Sequence, residues 1–269
     1  MAIEPESRSD TITGGGGRRV GLQAIAATGW GFTERAYIGD WDLRASGGHT
    51  ARANSALPIG DSGMPLSQTL HAVGEWYAER NLPAQIQTID GSPLDEAIAG
   101  LGHWETHRPA LRQSAPLSPV LEILRSSTDP LRVASITPEL PEDYFTVYRR
   151  GYGIPEFRTI LTSGDALIAF AVVRADNGDA LCVGRLAIDT GTGYAGIAGL
   201  ATADHARRRG LARIVMRDLL ASAAEHGAEN TYLEVDEENA PALALYAALG
   251  YATAHRYHSR RLSRQDVAG

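Results

Sequence analysis

The chain has 269 residues, 43% of them hydrophobic, and a formal net charge of −7. That length supports one large or two ordinary globular cores, and the acidic balance removes any nonspecific pull toward nucleic acid or anionic lipid. All 25 basic residues are arginine. A Walker A loop, a kinase strand lysine and a pyridoxal Schiff base each need a lysine amine at a fixed place, so all three are excluded.

The single cysteine, Cys182, lies in an apolar run and has no partner for an intramolecular disulfide. It reads as a small buried hydrophobe rather than a nucleophile, in keeping with a reducing cytosol. Residues 1–19 hold acids and the run Gly14 to Gly17 where a secretory signal would have a charged start and an apolar core. No segment approaches the length of a membrane span. The expectation is a flexible leader on a cytoplasmic protein without a membrane partner.

In chain order, a short helix is predicted from Val20 to Ala27, then extended segments over Asp40 to Ala45 and Ala51 to Ile59. Leu66, Leu70, Val73, Trp76 and Tyr77 recur at helical spacing, with Pro65 in the first turn. Ala84 to Ile89 alternates as a strand, and Leu94 to Leu101 reads as a helix stopped by Gly102. Residues 105–130 hold four prolines and several serines without strong periodicity, and the boundary between two units is placed there. The second unit opens with a strand at Leu131 to Ile136 and helices near Glu142 to Arg150 and Pro155 to Leu161. Strands at Ala166 to Arg174, Ala180 to Ile188 and Tyr194 to Thr202 follow, joined by hairpin turns. A long helix then runs from Gly210 to about His226, with Leu211, Ile214, Val215 and Leu219 on one face and Arg213, Arg217 and Asp218 facing away. Thr231 to Val235 is a strand, Ala240 to Leu249 a helix closed by Gly250, and a last strand runs through Arg261. Strand, long helix, strand, short helix and Leu-Gly recur in both halves. Internal duplication explains this, as do two unrelated α/β pieces with shared punctuation.

The strongest chemical signal runs from Leu200 to Ala212: a strand enters the basic loop Arg207-Arg208-Arg209-Gly210, and that loop opens a helix. Free amides at a helix N-terminus carry partial positive charge and cradle a diphosphate, and the three arginines add field. Gly210 allows close approach to the backbone. A solvated helix start is the plain alternative. Downstream, Leu233-Glu234-Val235 precedes Asn239, Ala242, Leu245-Tyr246 and Leu249-Gly250-Tyr251. The string Gly191-x-Gly193-x-x-Gly196 satisfies a dinucleotide pattern, but a strand follows it where a helix is required, so it reads as a hairpin turn. The histidines show no metal-ligand spacing, and no metal is expected.

Arg207, Gly210 and Ala212 match the Arg/Gln-x-x-Gly-x-Gly/Ala signature of the GNAT N-acetyltransferases, and the downstream block resembles that family's second coenzyme-binding segment. The resemblance covers residues 131–262. The first half is similar only weakly to the degenerate copy of tandem GNAT proteins, and it lacks the signature. The resemblance implies a tandem α/β (α+β) fold of mixed, mostly antiparallel sheets flanked by helices. Residues 20–128 would form the degenerate GNAT-like domain and 131–265 the catalytic one. It further implies acetyl-CoA as donor and an amine as acceptor, no nucleic-acid partner, and a monomer or homodimer.

In the family the signature strand bulges and splays from its neighbour, exposing backbone to the pantetheine arm. Gly196 and Gly199 fit such a distortion, or mark close packing. Leu200, Ala201 and Thr202 would then contact the coenzyme, with Arg207, Arg208, Arg209, Gly210, Leu211 and Ala212 around its pyrophosphate. Asn239 either touches pantetheine or caps the following helix. Tyr246 matches the family's tyrosine beside the thioester sulfur and is the candidate acid, with core packing as the alternative. Glu234 matches the strand glutamate that serves as base in ribosomal-protein N-terminal acetyltransferases. It is expected to act directly or through a water it holds, and it shares a face with Tyr232 and Asp236. A solvated acid or salt-bridge partner is its alternative. Asp236, Glu237 and Glu238 would attract a cation or decorate a loop. The expected function is acetyl transfer to a primary amine, on a peptide N-terminus or a small molecule, by direct attack. A non-catalytic acyl-CoA-binding regulator is the reading from another class.

Overall fold

The computed structural model describes residues 11–13, 19–150 and 153–263. The first half comprises strands β1 (Thr11–Thr13) and β2 (Arg19–Gly21), helix α1 (Leu22–Thr28), strands β3 (Glu34–Ile38), β4 (Trp41–Ala45) and β5 (Ala56–Pro58), helix α2 (Leu66–Ala78), strand β6 (Gln85–Ile89), helix α3 (Pro93–Ala99), strand β7 (Trp104–Pro116) and helix α4 (Leu117–Ser127). The second comprises β8 (Ser135–Thr137), α5 (Tyr144–Val147), α6 (Pro155–Thr162), β9 (Leu167–Arg174), β10 (Ala180–Asp189), β11 (Tyr194–Thr202), α7 (Leu211–Glu225), β12 (Asn230–Asp236), α8 (Ala240–Ala247) and β13 (Ala252–Leu262).

Strands β3 to β13 form one sheet of eleven, in the order β3-β4-β5-β6-β13-β7-β12-β11-β10-β9-β8. The order carries a repeat. Read inward from one end, β3, β4 and β5 pair antiparallel and β5 meets β6 in parallel. From the other end β9, β10 and β11 do the same, and β11 meets β12 in parallel. Helices α2 and α7 occupy the same crossover in each series. At the centre the last strands are exchanged: β7 pairs with β12, and β13 pairs with β6 and with β7. Each half therefore completes the sheet of the other.

Four expectations need correction. The segment 105–130 is not an irregular connection: β7 spans Trp104–Pro116 with partners on both sides, and α4 packs Leu117, Val120, Leu121 and Leu124 into the core. Pro109 is tolerated there because β13 shifts register between Tyr257 and Ser259, opposite Arg108 and Pro109, while the β12 ladder ends at Ala110. A proline without a donor sits in a bulge instead of breaking a ladder. Strand β3 was not expected. Its five residues show no fully buried position, so it has little apolar patterning to read. The helix expected over Glu142 to Arg150 is only Tyr144–Val147. Finally, Arg217 does not face solvent. It is 7% exposed and donates to Asp218, Thr128 Oγ1 and the carbonyls of Asp129 and Arg132, tying α7 to the connection after α4. Of the leader, Thr11–Thr13 pair antiparallel with Arg19–Gly21, and the remainder lies outside the described residues.

The expected apolar face of α7 is buried, with Leu211, Ile214, Val215 and Leu219 each under 5% exposed. Each such side chain contributes roughly 1.5–3 kcal/mol. That burial fixes the N-terminus of α7 against the end of β11. Among the described residues no helix is long and apolar enough to cross a membrane.

Candidate active site

The site begins where two parallel strands part. β11 and β12 are paired only from Tyr194 and Asn230 to Ile197 and Leu233. Beyond that β11 runs to Thr202 and β12 to Asp236 without a ladder between them. The cause lies on the other edge of β11. Val183 pairs with Ala201 but Arg185 with Ala198, so Gly199 and Leu200 face Gly184 alone, and Gly199 takes φ +58. A bulge of this kind bends its strand and re-aims the backbone. The two glycines expected to share one role divide it. Gly199 makes the bulge, while Gly196 is a packing glycine whose added Cβ would lie 2.3 Å from Tyr232 Cζ.

The opening is a cleft of about 960 Å³. Leu200, Glu234, Asn239 and Tyr246 lie on its wall, whereas Ala201, Thr202 and residues Arg207 to Ala212 do not. Thr202 Oγ1 lies 3.2 Å from Cys182 Sγ. That thiol is buried, which pushes it up to about 11 and leaves it unfit as a nucleophile. The basic loop forms the adjoining N-terminus of α7. Gly210, not the first helical residue but its N-cap, has φ +75, and Arg208 has φ +60. The first intrahelical bonds run from Arg213 and Ile214 to the Gly210 carbonyl, so the amides of Leu211 and Ala212 precede them and point out of the helix end. No side chain caps this end. Arg207 is exposed and bridges to Asp204 at 2.8 Å.

Tyr246, on α8, is 8% exposed and its ring lies 5.9 Å from that of Tyr251. Burial pushes its hydroxyl up to about 12, so it stays protonated at neutral pH. Asn239 caps α8: its Oδ1 accepts from the Ala242 amide at 3.3 Å while the residue also borders the cleft. Tyr232, Glu234 and Asp236 reach the cleft, as alternation along β12 requires, and Leu233 packs into the core on the other face.

Glu234 is the most constrained group. Its Oε1 accepts from Arg112 Nη2 at 2.5 Å, and its Oε2 from Arg52 Nε at 2.5 Å and Trp30 Nε1 at 3.2 Å. Burial alone would raise its pKa, but the two guanidiniums override it and hold the carboxylate at about 2. Arg112 is 1% exposed, stacks on the Tyr257 ring at 4.4 Å and donates to His255 Nε2 at 3.1 Å. Burial and the charge of Arg112 push that imidazole down to about 4, keeping it neutral and able to accept. Arg52, Arg112 and Trp30 all come from the first half, and none was singled out in the sequence. They lie 182, 122 and 204 residues from Glu234, a separation at which no local pattern reports a partner. Arg185, on β10, is also buried on the cleft wall, its guanidinium carbon 5.5 Å from the Trp30 ring centre.

Among the described residues one cluster has metal-ligand geometry: Asp90, Asp95 and His258 present atoms within 4.8 Å of one another. Asp95 is already taken by Arg260, which bonds both its oxygens, and by His258 Nε2 at 2.7 Å. A guanidinium in that position supplies the charge a cation would bring, so the donor set does not fit a metal ion.

A strand bulge that opens a parallel pair, an uncapped helix start after the same strand and a buried phenol on the cleft wall are the features of an acyltransferase of the GNAT type. The family described as "Probable histone acetyltransferase Rv0428c C-terminal" matches residues 19–260, and the chain belongs to it. It is 25% identical over 259 residues to "Uncharacterized N-acetyltransferase YobR" of Bacillus subtilis (strain 168), covering 89% of this chain and 96% of that one. Two solved structures share the fold. The GCN5-related N-acetyltransferase from Kribbella flavida has a TM-score of 0.62 at 13% identity, covering 86% of this chain and 90% of its own. A tandem GNAT protein from the clavulanic acid biosynthesis pathway has a TM-score of 0.60 at 16% identity, covering 91% and 80%.

Proposed function

We propose that the chain transfers an acetyl group from acetyl-CoA to a primary amine by direct attack on the thioester. The observation that carries this reading is the edge of β11 that has no β12 partner beyond Ile197, where Ala198, Gly199 and Leu200 line the same cleft as Tyr246. Pantetheine is a chain of amides, and an unladdered strand edge offers it the hydrogen bonds a neighbouring strand would make. The pyrophosphate then falls at the amides of Gly210 to Ala212, with Arg208 and Arg209 adding charge.

As the amine attacks, negative charge passes from the carbonyl oxygen to the departing sulfur. Tyr246, protonated because it is buried, donates a hydrogen bond to that sulfur. Full transfer from a phenol near 12 to a thiolate near 8.5 is uphill by roughly 3–4 units in water, and displacement of water by the bound coenzyme and acceptor would raise the thiolate's proton affinity and narrow the gap. The proton of the attacking ammonium needs another destination. An amine near 10 cannot pass it usefully to Glu234 at about 2, since that step is uphill by about 11 kcal/mol. Both Glu234 oxygens are also occupied, which opposes the expected roles as base or as holder of a water. Glu234 instead anchors Arg52 and Arg112. His49, the imidazole on the cleft wall, with Nε2 3.7 Å from Glu156 Oε2, takes the base role, imidazole being suited to proton transfer near neutral pH. The test is thiol release from acetyl-CoA over a panel of amines and peptides. Calorimetric binding of CoA without release by any acceptor would overturn it.

A further inference from the structure

We propose that the acceptor amine carries an anionic group, which binds at the guanidiniums of Arg185 and Arg52 beside Trp30. This rests on the acetyl-transfer reading and adds the class of acceptor to it.

The inner wall of the cleft has an excess of positive charge. On that wall Arg52 and Arg185, with Arg112 buried outside the lining, stand against one carboxylate, Glu234, which Arg52 and Arg112 share. Arg185 has no counter-ion: among the described residues no aspartate or glutamate bonds to it. Its Nε donates to the Leu161 carbonyl and its Nη2 to the Gly29 carbonyl, both at 2.6 Å. Those carbonyls close the ends of α6 and α1 and carry only partial negative charge. They orient the guanidinium and leave Nη1 without a partner among the described residues. An arginine 1% exposed without a carboxylate is an uncompensated buried charge, an arrangement strongly disfavoured unless an anion completes it. Burial pushes this arginine down to about 10, so it is charged at neutral pH.

Other groups converge on the same place. Arg52 spends its Nε on Glu234 and keeps 23% of its side chain exposed, with its guanidinium 5.5 Å from the Trp30 ring. Tyr148, Arg150, Arg52 and Arg185 all line the cleft, and the charge of the three arginines acts against the rise that burial imposes on the Tyr148 hydroxyl. Guanidinium forks match the planar geometry of a carboxylate and also take a phosphate. The end of β12 and the loop leading into α8 bring Asp236 and Glu238 to the same cleft, which suits an acceptor with an ammonium at one end and an anion at the other.

The experiment is calorimetric titration of the full chain, with CoA present, by propylamine, 3-aminopropanoate and 2-aminoethyl phosphate. At least tenfold tighter binding of 3-aminopropanoate than of propylamine is expected. Equal affinities, or tighter binding of propylamine, overturn the proposal. Tightest binding of the phosphate compound upholds the anionic pole and makes its natural group a phosphate. Arg185→Gln and Arg52→Gln should each reduce the preference for the anionic amine to less than threefold. Arg150→Gln, at an exposed position, gives a second readout if the buried variants do not fold and should lower the preference at least twofold. An undiminished preference in every folded variant sinks the assignment. Loss of the acetyl-transfer reading would look different, since CoA would bind and no amine would release thiol.

Discussion

Arg112 and Glu234 stand directly opposite one another across the β7–β12 ladder, with Nη2 donating to Oε1 at 2.5 Å. The pair joins a strand of the first half to the strand that opens the active cleft, so the exchange of β7 and β13 has a chemical purpose as well as a packing one. Glu234→Gln leaves two cations, one fully buried, without a counter-ion, and should lower the unfolding free energy at pH 7 by roughly 3 kcal/mol. The effect depends on pH in a defined direction. The folded carboxylate titrates at about 2 against an ordinary 4.5, so its contribution is complete above about pH 4.5 and disappears as pH falls toward 2. Urea denaturation of both proteins from pH 6 to pH 2 should show the curves converging at the acid end. Parallel curves would mean that the carboxylate is not held by the two arginines.

Tyr246→Phe removes the hydrogen bond to the departing sulfur and keeps the ring that packs near Tyr251. Turnover should fall by about 10²-fold while CoA affinity changes less than twofold. Stopped assays of thiol release together with CoA titration separate the two effects, and unchanged turnover would take Tyr246 out of the mechanism. His49→Gln should lower turnover by about 10²-fold while CoA affinity changes less than twofold, and unchanged turnover would take His49 out of the base role.

Arg208→Ala combined with Arg209→Ala should weaken CoA binding by roughly tenfold or more and reduce its sensitivity to salt, leaving Tm almost unchanged, because both side chains are exposed. Gly210→Ala probes the same loop through the backbone. Nothing lies within 4 Å of the added Cβ, but φ is +75, so the residue is strained by about 1–2 kcal/mol in the observed conformation. A shift of the α7 N-terminus should then show as weaker CoA binding. Unaltered affinity in both variants would displace the pyrophosphate from this loop.

What the sequence alone makes legible follows the range of each interaction. The helices α2, α3 and α7 and the β9 to β11 hairpins announce themselves through apolar period and turn residues, all local signals. The basic loop, Tyr246 and the capping Asn239 are local too, each read from a stretch of about a dozen residues. Strand β7 was hidden because its buried positions include Arg112 and Gln113, polar residues that belong inside only once Glu234 and Thr253 face them. Alternation of apolar and polar side chains therefore fails along it, and Pro109 reads as a breaker until the bulge opposite is known. The ionic state of Glu234 was equally out of reach, since Arg52 and Arg112 arrive through the folding of the whole first half.

The two glycines of β11 offer a separate test of how the cleft is made. Gly199 holds φ +58, and a Cβ there would lie 2.4 Å from the Tyr144 hydroxyl, which donates to the Gly199 carbonyl. Gly199→Ala must relax the bulge or move a buried tyrosine, and either change disturbs the backbone of β11 where it parts from β12. Gly196 is paired on both sides, to Ala187 and to Tyr232, and its added Cβ would meet the Tyr232 ring within the ladder. Gly196→Ala should thus behave as overpacking, lowering stability by about 1–3 kcal/mol with CoA affinity largely kept in the folded fraction. Gly199→Ala should instead lose CoA affinity by more than its loss of stability accounts for. Denaturation and CoA titration of both variants decide the matter: if Gly199→Ala binds CoA as tightly as the parent chain, the bulge is not what exposes the strand edge to the coenzyme.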